Sequence, residues 1–404
     1  MKGCFLFMPT MIENTKIRCS SCGTSQVNHG LMFTLRFFDE FFSVIGYIYS
    51  PLFSLGNRRD VTDYIEKCIF NILSLLRVIR YDADIEKTIN TRSKVVWQEA
   101  KDRGIHMEQL FFLGKPFDHF RARVNGKIIF FNSIPIPSWL PHGGYAWVDD
   151  KLVFAKKLQS ANFPSPKTKR IIFFKDALRA FDDFRKPMII KPQQGSLGRH
   201  TTTNINTKDE LKKAFDLARQ ITLSMVAQEH IFGSVYRATV VNNTLVGFFR
   251  ADRPYVEGDG ISTIEELIKN KNRNHPEKVS DIVVSDEVLN FLARQGYTVA
   301  SIPDAGVTVD LIAKTGRFYG GYTKEILPEV HPKFHSIFEK LGEFVSIPVA
   351  GFDLIIEDPT RDPDTQHWGV IECNSLPFID LHYFPLEGKP VNIAKYVWDL
   401  WEKK

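Results

Sequence analysis

The chain has 404 residues, of which 44% are hydrophobic and 25% charged, with a formal net charge of +5. That length allows two or three domains with an ample core, and the composition excludes a disordered or fibrous chain. No basic arm or acidic tail stands out, so a nucleic-acid partner is not indicated, and five cysteines do not make a disulfide framework.

The first residues, "MKGCFLFMPTMIENTK", are interrupted by Pro9 and no small-residue cleavage site follows. A secretory signal is therefore not expected, and the chain is read as cytoplasmic. Cys19 and Cys22 form a single CxxC, and with no second pair nearby they do not define a zinc ribbon. "FFSVIGYIYSPLFSLG" (41–56) is uncharged but shorter than the ~20 residues a spanning helix needs, so it reads as a buried helix and loop. Ile65, Ile69, Ile72, Leu73 and Leu76 share one face of a helix predicted over 60–82, with Asp60 as its cap. A second helix is predicted over 93–105, ending at Gly104, and "HFRARVNGKIIFF" (119–131) reads as a hairpin turning at Asn-Gly. "IPIPSWLPHGG" (134–144) is a Pro/Gly linker and places a domain boundary there.

Beyond that boundary, "DDKLVFAKKLQSANFPSP" (149–166) predicts a helix with a Pro-punctuated exit. Strands are expected at 187–191 and 200–206, then a helix over 207–221 with Thr207 and Glu210 as a capping box. "MVAQEHI", "VYRATVVNN" and "TLVGFFRADR" read as strands, and "STIEELIKNKN" as a short capped helix. The tail carries strands at 349–358 and 369–377, with a helix between 333 and 346.

The residues with chemical potential gather on these strands. Asp353 lies in "GFDLII", and Glu372 and Asn374 lie in "VIECNS". A period of two puts Glu372 and Asn374 on one face. An ionised carboxylate among buried neighbours is costly unless it is paired or metal-bound. Asp, Glu and Asn oxygens are hard ligands, the kind that hold Mg²⁺ against nucleotide phosphates. One such carboxylate alone reads as half of a salt bridge; the three together read as a metal site. "KPQQGSLGRH" (191–200) places a lysine before a small-residue loop, the reverse of the P-loop order. Lys191 ends a buried-looking strand, and Lys151 opens a helix against its dipole. Arg237, Arg250, Lys314 and Arg317 follow in strands or at strand edges. Singly each reads as a solvated surface charge. As a set beside the carboxylates, they read as a clamp for a triphosphate and an oxyanion.

The order of these parts resembles the ATP-grasp carboxylate–amine ligases: "DDK" before a helix, "IIKPQQGSLGR", "VAQEHIFGSVYR", "GFDLII" and "IECNSLP". It is more similar still to the ATP-grasp part of cyanophycin synthetase. That likeness rests on "EGDGISTIEELI" (257–268), "LNFLARQGYTVASIPDAG" (289–306), "GGYT" before "EVHP", and "LHYFPLEGKPVNIAKYVWDL" (381–400). The resemblance covers residues 148–400 and leaves out the second, Mur-ligase-like half of cyanophycin synthetase. It implies an α+β ATP-grasp fold, with a lid subdomain at 148–225 and a catalytic subdomain at 226–404 clamping ATP. An N-terminal α/β domain of uncertain type, 1–147, precedes them.

The resemblance further implies ATP and Mg²⁺ as cofactors, the metal as two ions with Mn²⁺ an admissible substitute. The substrates are small molecules or peptides: an amino-acid or peptide carboxylate is phosphorylated, and an amine attacks the acyl-phosphate. Lys151 and Lys191 correspond to the phosphate-binding lysines, and Gln194-Gly195-Ser196-Leu197-Gly198 to the flexible lid loop. Gln228 falls where the family reads the adenine amino group, with the backbones of Glu229 and Ile231 completing the hinge. Asp353, Glu372 and Asn374 match the magnesium ligands. Arg237, Arg250 and Lys314, or Arg317 in place of Lys314, stand where phosphate and the tetrahedral intermediate are steadied. The departures are Val235 at an expected acidic ribose ligand, Gly198-Arg199-His200 for Gly-Arg-Gly, and "NSLPF" for Asn-x-x-Pro-Gly. A kinase acting on a hydroxyl and a degenerate nucleotide-binding regulatory module remain the alternatives. A homo-oligomer is left open.

Overall fold

The computed structural model describes residues 19, 22, 27–37, 78–137, 139–140, 147–194 and 198–402. The uncharged stretch 41–56 and most of the helix expected over 60–82 fall outside them. The end of that predicted helix is a strand instead. Ile79–Asp82 (β1) pairs antiparallel with Met107–Phe112 (β2). Ile79 is buried while Arg80 is exposed, an alternation that suits a sheet edge, and pairing with β2 overrides the helical spacing upstream.

β2 continues into Lys115–Val124 (β3) and Lys127–Asn132 (β4), an antiparallel meander in the order β1-β2-β3-β4. The β3–β4 turn is at Asn125-Gly126, both with positive φ (49° and 76°), as a two-residue hairpin of right-handed twist demands. The helix Thr91–Asp102 buries Val95, Val96, Trp97 and Ala100 against this sheet and against the C-terminal helix Ile393–Asp399. Trp398 Nε1 donates to Val96 O at 2.9 Å and Trp401 Nε1 to Pro135 O at 2.9 Å. Val241, Val246 and Val349 complete the same core, so the meander and the C-terminal region share one hydrophobic interior.

A second four-stranded antiparallel sheet contains Thr168–Ile171 (β5), Met188–Pro192 (β6), Thr202–Ile205 (β7) and Met225–Glu229 (β8), in the order β5-β8-β6-β7. The helices Phe174–Asp183 and Lys208–Arg219 cover one face through Ala177, Ala180, Phe181, Leu211, Ala214 and Phe215. Thr207 and Glu210 form the expected capping box.

The third sheet is built from Ser234–Val241 (β9), Thr244–Ala251 (β10), Thr323–Glu325 (β13), Val349–Ile356 (β14) and Gly369–Asn374 (β15), ordered β13-β10-β9-β14-β15. Between β10 and β13 lies a satellite, Tyr255–Glu257 (β11) paired with Thr308–Asp310 (β12), under the helices Ile264–Asn274 and Asp286–Arg294. The helix Lys333–Val345 fills the back of the third sheet with Phe334, Phe338, Leu341 and Val345. Phe154 and Leu158 of the helix Lys151–Ser160 enter that same core. Tyr236, Ala238 and Val240 of β9 and Ala350, Phe352, Leu354 and Ile356 of β14 point into it. Their alternates, Arg237 and Asp353, therefore turn toward the second sheet.

On β15 the alternation is interrupted. Asp353 pairs with Glu372 but Leu354 with Val370, a β-bulge that leaves Ile371 as the extra residue. Without it, strict alternation from buried Val370 would send Glu372 into the core. With it, Ile371, Glu372 and Asn374 all face the space between the two sheets.

Candidate active site

Between the second and third sheets lies a cleft of about 890 Å³. Its floor is set by strand register: Arg237, Asp353 and Glu372 stand side by side across β9, β14 and β15. Arg237 grips Asp353 with two parallel hydrogen bonds, Nε to Oδ1 at 2.7 Å and Nη2 to Oδ2 at 2.8 Å. Lys151 Nζ reaches Glu372 Oε1 at 3.2 Å. Asn374 completes the row, and its Nδ2 is buried without a partner among the described residues.

Lys151 is held by its neighbours in "DDK". Asp150 caps the helix, accepting from the Leu152 and Val153 N–H groups at 2.9 and 3.0 Å, which offsets the cost of a cation at a helix start. Asp150 Oδ2 also accepts from Gln193 Nε2 at 2.7 Å, and Lys151 N donates to Gln193 O at 3.3 Å, which ties the helix to the end of β6. Asp149 accepts from Ser375 N and Oγ at 3.1 and 2.8 Å, tying it also to β15. Burial pushes the Asp149 carboxyl up, and the neighbouring Glu372 adds to the rise.

The other wall carries Lys191. It is 7% exposed, and no described residue forms an ion pair or hydrogen bond with its ammonium. Desolvation and the nearby Lys151 bring its pKa down to about 8, opposed by Glu372 and Asp353. Three cations, Lys151, Lys191 and Arg237, thus share this part of the cleft with two carboxylates.

The structure brings other sequence-identified residues here as well. Lys314 lines the cleft and pairs with Glu287 at 2.8 Å. Arg317 lines it too, donating to Phe384 O at 3.2 Å, with its pKa lowered by burial and partly restored by Asp380. Ile231 lines it at the hinge end.

Two of the sequence-identified side chains, Arg250 and Gln228, do not line the cleft, and neither does Glu229, whose backbone the resemblance places at the hinge. Arg250 is turned away: its β10 neighbours Phe249 and Ala251 line the space, and it pairs with Asp252 at 2.8 Å. Gln228 is 1% exposed, and its Nε2 donates to Thr168 Oγ1 at 2.8 Å inside the second sheet. Glu229 donates its N–H to Lys167 O at 3.1 Å. Gly195 and Ser196 lie outside the described residues; Gln194 and Gly198 on either side line the cleft.

Sequence reading missed Asp149, His230, Arg253 and Asp380, of which the last three line the cleft. Asp149 had a signal in the doubled aspartate before Lys151. Arg253 directly follows "FRAD", three residues beyond Arg250 and so of opposite parity. Asp380, its carboxyl raised by burial and only partly countered by Arg317 and Arg92, sits on a short helix that carries no pattern of its own.

Two α+β layers closing on a cation-lined cleft, with strand-borne carboxylates on its floor, define an ATP-grasp fold. The chain superposes on the bifunctional glutathione synthetase of Pasteurella multocida with a TM-score of 0.55 at 22% identity, over 78% of this chain and 44% of that one. In sequence it is similar to cyanophycin synthetase from Synechocystis sp., 30% identical over 252 residues, covering 60% of this chain and 29% of the relative. It is also similar to the glutathione biosynthesis bifunctional protein of Mannheimia succiniciproducens, 28% identical over 309 residues, covering 72% and 40%. The chain therefore spans less than half the length of these relatives. No family model matches it. No described helix is long and apolar enough to cross a membrane.

Proposed function

We propose that the cleft binds ATP and that the chain is an ATP-dependent carboxylate–amine ligase. The observation that carries this reading is Lys191, a buried ammonium without an anionic partner among the described residues, in a cleft it shares with Lys151 and Arg237. Desolvating a cation is costly unless an anion compensates, and a polyphosphate supplies that charge. Asp353, Glu372 and Asn374 would hold Mg²⁺, in the finer form two ions with Mn²⁺ as a substitute. The fit rests on their all-oxygen donor set and on the two carboxylates facing each other in register. When bound, the metal neutralises phosphate charge. Arg237, held flat by Asp353, presents Nη1 to the transferred phosphoryl group, and Arg317 and Lys314 stand on the acceptor side. Catalysis here is positioning and charge neutralisation.

The names of the sequence relatives favour an amino-acid or peptide carboxylate as acceptor, and the need for ATP favours a cytoplasmic setting. The test is ADP release from ATP and Mg²⁺ across amino acids and short peptides, with mass spectrometry of products. An amide product whose formation requires both an acid and an amine supports the reading. ADP formed without an amine, or a phosphorylated hydroxyl as product, would show a kinase instead.

A further inference from the structure

Away from the cleft floor, four side chains distant in sequence converge. One ligand atom from each of Cys19, Cys22, His29 and His200 lies within 4.8 Å of all the others. The Cys22 Sγ is 3.3 Å from His29 Nε2 and 3.5 Å from His200 Nε2, and the Cys19 Sγ is 3.8 Å from His200 Nε2. A tetrahedral ion with bonds of about 2.3 Å to sulfur and about 2.0–2.1 Å to nitrogen sets S···N edges of roughly 3.5 Å, and the three separations scatter about that value.

The surroundings prepare the donors. His200 Nδ1 lies 2.7 Å from Leu217 O, so Nδ1 carries the proton and Nε2 turns its lone pair to the sulfurs, the arrangement of a metal-bound histidine. The Cys22 N–H donates to Cys19 O at 3.1 Å, closing the tight turn by which a CxxC brings two sulfurs together. The two imidazoles meet edge to face at 83°, with centroids 4.7 Å apart, as ligands on separate vertices do. His200 holds a left-handed backbone, φ 51°, a conformation that a non-glycine residue keeps only when its surroundings fix it.

We infer that these four residues form a structural zinc site. Two thiolates and two imidazoles in tetrahedral array select zinc among the common metals, and four protein ligands leave no open position for catalysis. Three ligands come from the first 29 residues and the fourth from the segment between β6 and β7. The ion braces the N-terminal segment against the second sheet, where Arg199 and Arg36, the latter on the helix at 29–37, line the cleft. This site does not depend on the ligase reading, since its test needs no turnover.

The full chain, purified without a metal-binding tag, is analysed by elemental mass spectrometry. One equivalent of zinc is expected, falling to near zero in Cys22→Ser and in the double variant His29→Asn/His200→Asn. Because Cys22 and His200 are buried and those variants risk misfolding, the wild type is also exchanged with Co²⁺. Visible bands of tetrahedral cobalt with thiolate charge transfer are expected, altered in Cys19→Ser, whose side chain is less buried. Chelation should lower the melting temperature, and Zn²⁺ alone should restore it. A folded wild type with no zinc and no cobalt bands overturns the site, as does a Cys19–Cys22 disulfide found by peptide mapping. Full zinc retention in the double histidine variant would do the same.

Discussion

Lys191→Met should raise the stability of the nucleotide-free protein while weakening nucleotide binding. Methionine keeps most of the aliphatic stem and removes the buried charge. The lysine pKa falls from its ordinary 10.5 to about 8 in the fold, chiefly through desolvation. At about 1.4 kcal/mol per pKa unit, holding the ammonium charged at pH 7 costs on the order of 3 kcal/mol, and the variant should recover up to that amount. The sign follows from linkage. Below about 8 both folded and unfolded chains carry the proton, and the penalty is complete. Between about 8 and 10.5 the folded chain releases it while the unfolded chain keeps it, so wild-type stability gains on the variant as pH rises. The excess stability of the variant should be largest near pH 7 and vanish near pH 10.5. Urea denaturation of both proteins at several pH values reads this difference, with other titrations cancelling. In calorimetry the variant should bind ATP with a loss of about 1.5–3 kcal/mol, that of a charge-assisted contact, or roughly 10- to 100-fold in Kd. A variant less stable than wild type at pH 7, or a gap that does not close with pH, would show that Lys191 has a counter-ion. The reason for an anion-binding cleft would then be gone.

Asp353→Asn strips the half-buried Arg237 guanidinium of its bidentate partner and should cost about 3 kcal/mol in denaturant melts without metal. Glu372→Gln should cost less in the same melts, because Glu372 is the more exposed carboxylate and its single bond to Lys151 is longer; both should abolish Mg²⁺-dependent ADP formation. Gly247→Ala places a methyl 2.6 Å from the His382 ring, which bonds Glu325 at 2.5 Å and Thr239 at 2.7 Å in a fully buried network. Overpacking there should lower stability by about 1–3 kcal/mol, seen as a reduced melting temperature. Deleting Ile371 removes the β15 bulge and makes Val370 and Glu372 neighbours, so plain alternation keeps Glu372 on the cleft face; ADP formation should persist, and its loss in a folded variant would refute the account of the bulge as a correction of phase.

What could be read from the sequence follows how local the signal is. The floor was legible because strand alternation is a two-residue rule: Asp353 amid apolar β14 and the Glu372-x-Asn374 pair announce their faces by spacing. The capping box at Thr207 was legible for the same reason. Strand context alone, without the phase of alternation, does not fix a face. Arg250 was grouped with Arg237 because both sit in strands, but β10 runs antiparallel to β9 and turns Arg250 to the face opposite Phe249 and Ala251. The pairing of Glu372 with Asn374 on one face also hid a subtlety. Period two relates Glu372 to Asn374, but it also relates Glu372 to Val370, which is in the core, and only the bulge separates these two requirements. A bulge has no composition signature in "GVIECN", since its cause is the register with β14. The sulfur–imidazole cluster is the extreme case. Half of it is a visible CxxC, but its last ligand is 178 residues from Cys22, in a loop that the phosphate-binding pattern had already claimed. His200 stands where the resemblance expects glycine. That departure is the position at which the fold brings the N-terminal segment against the second sheet.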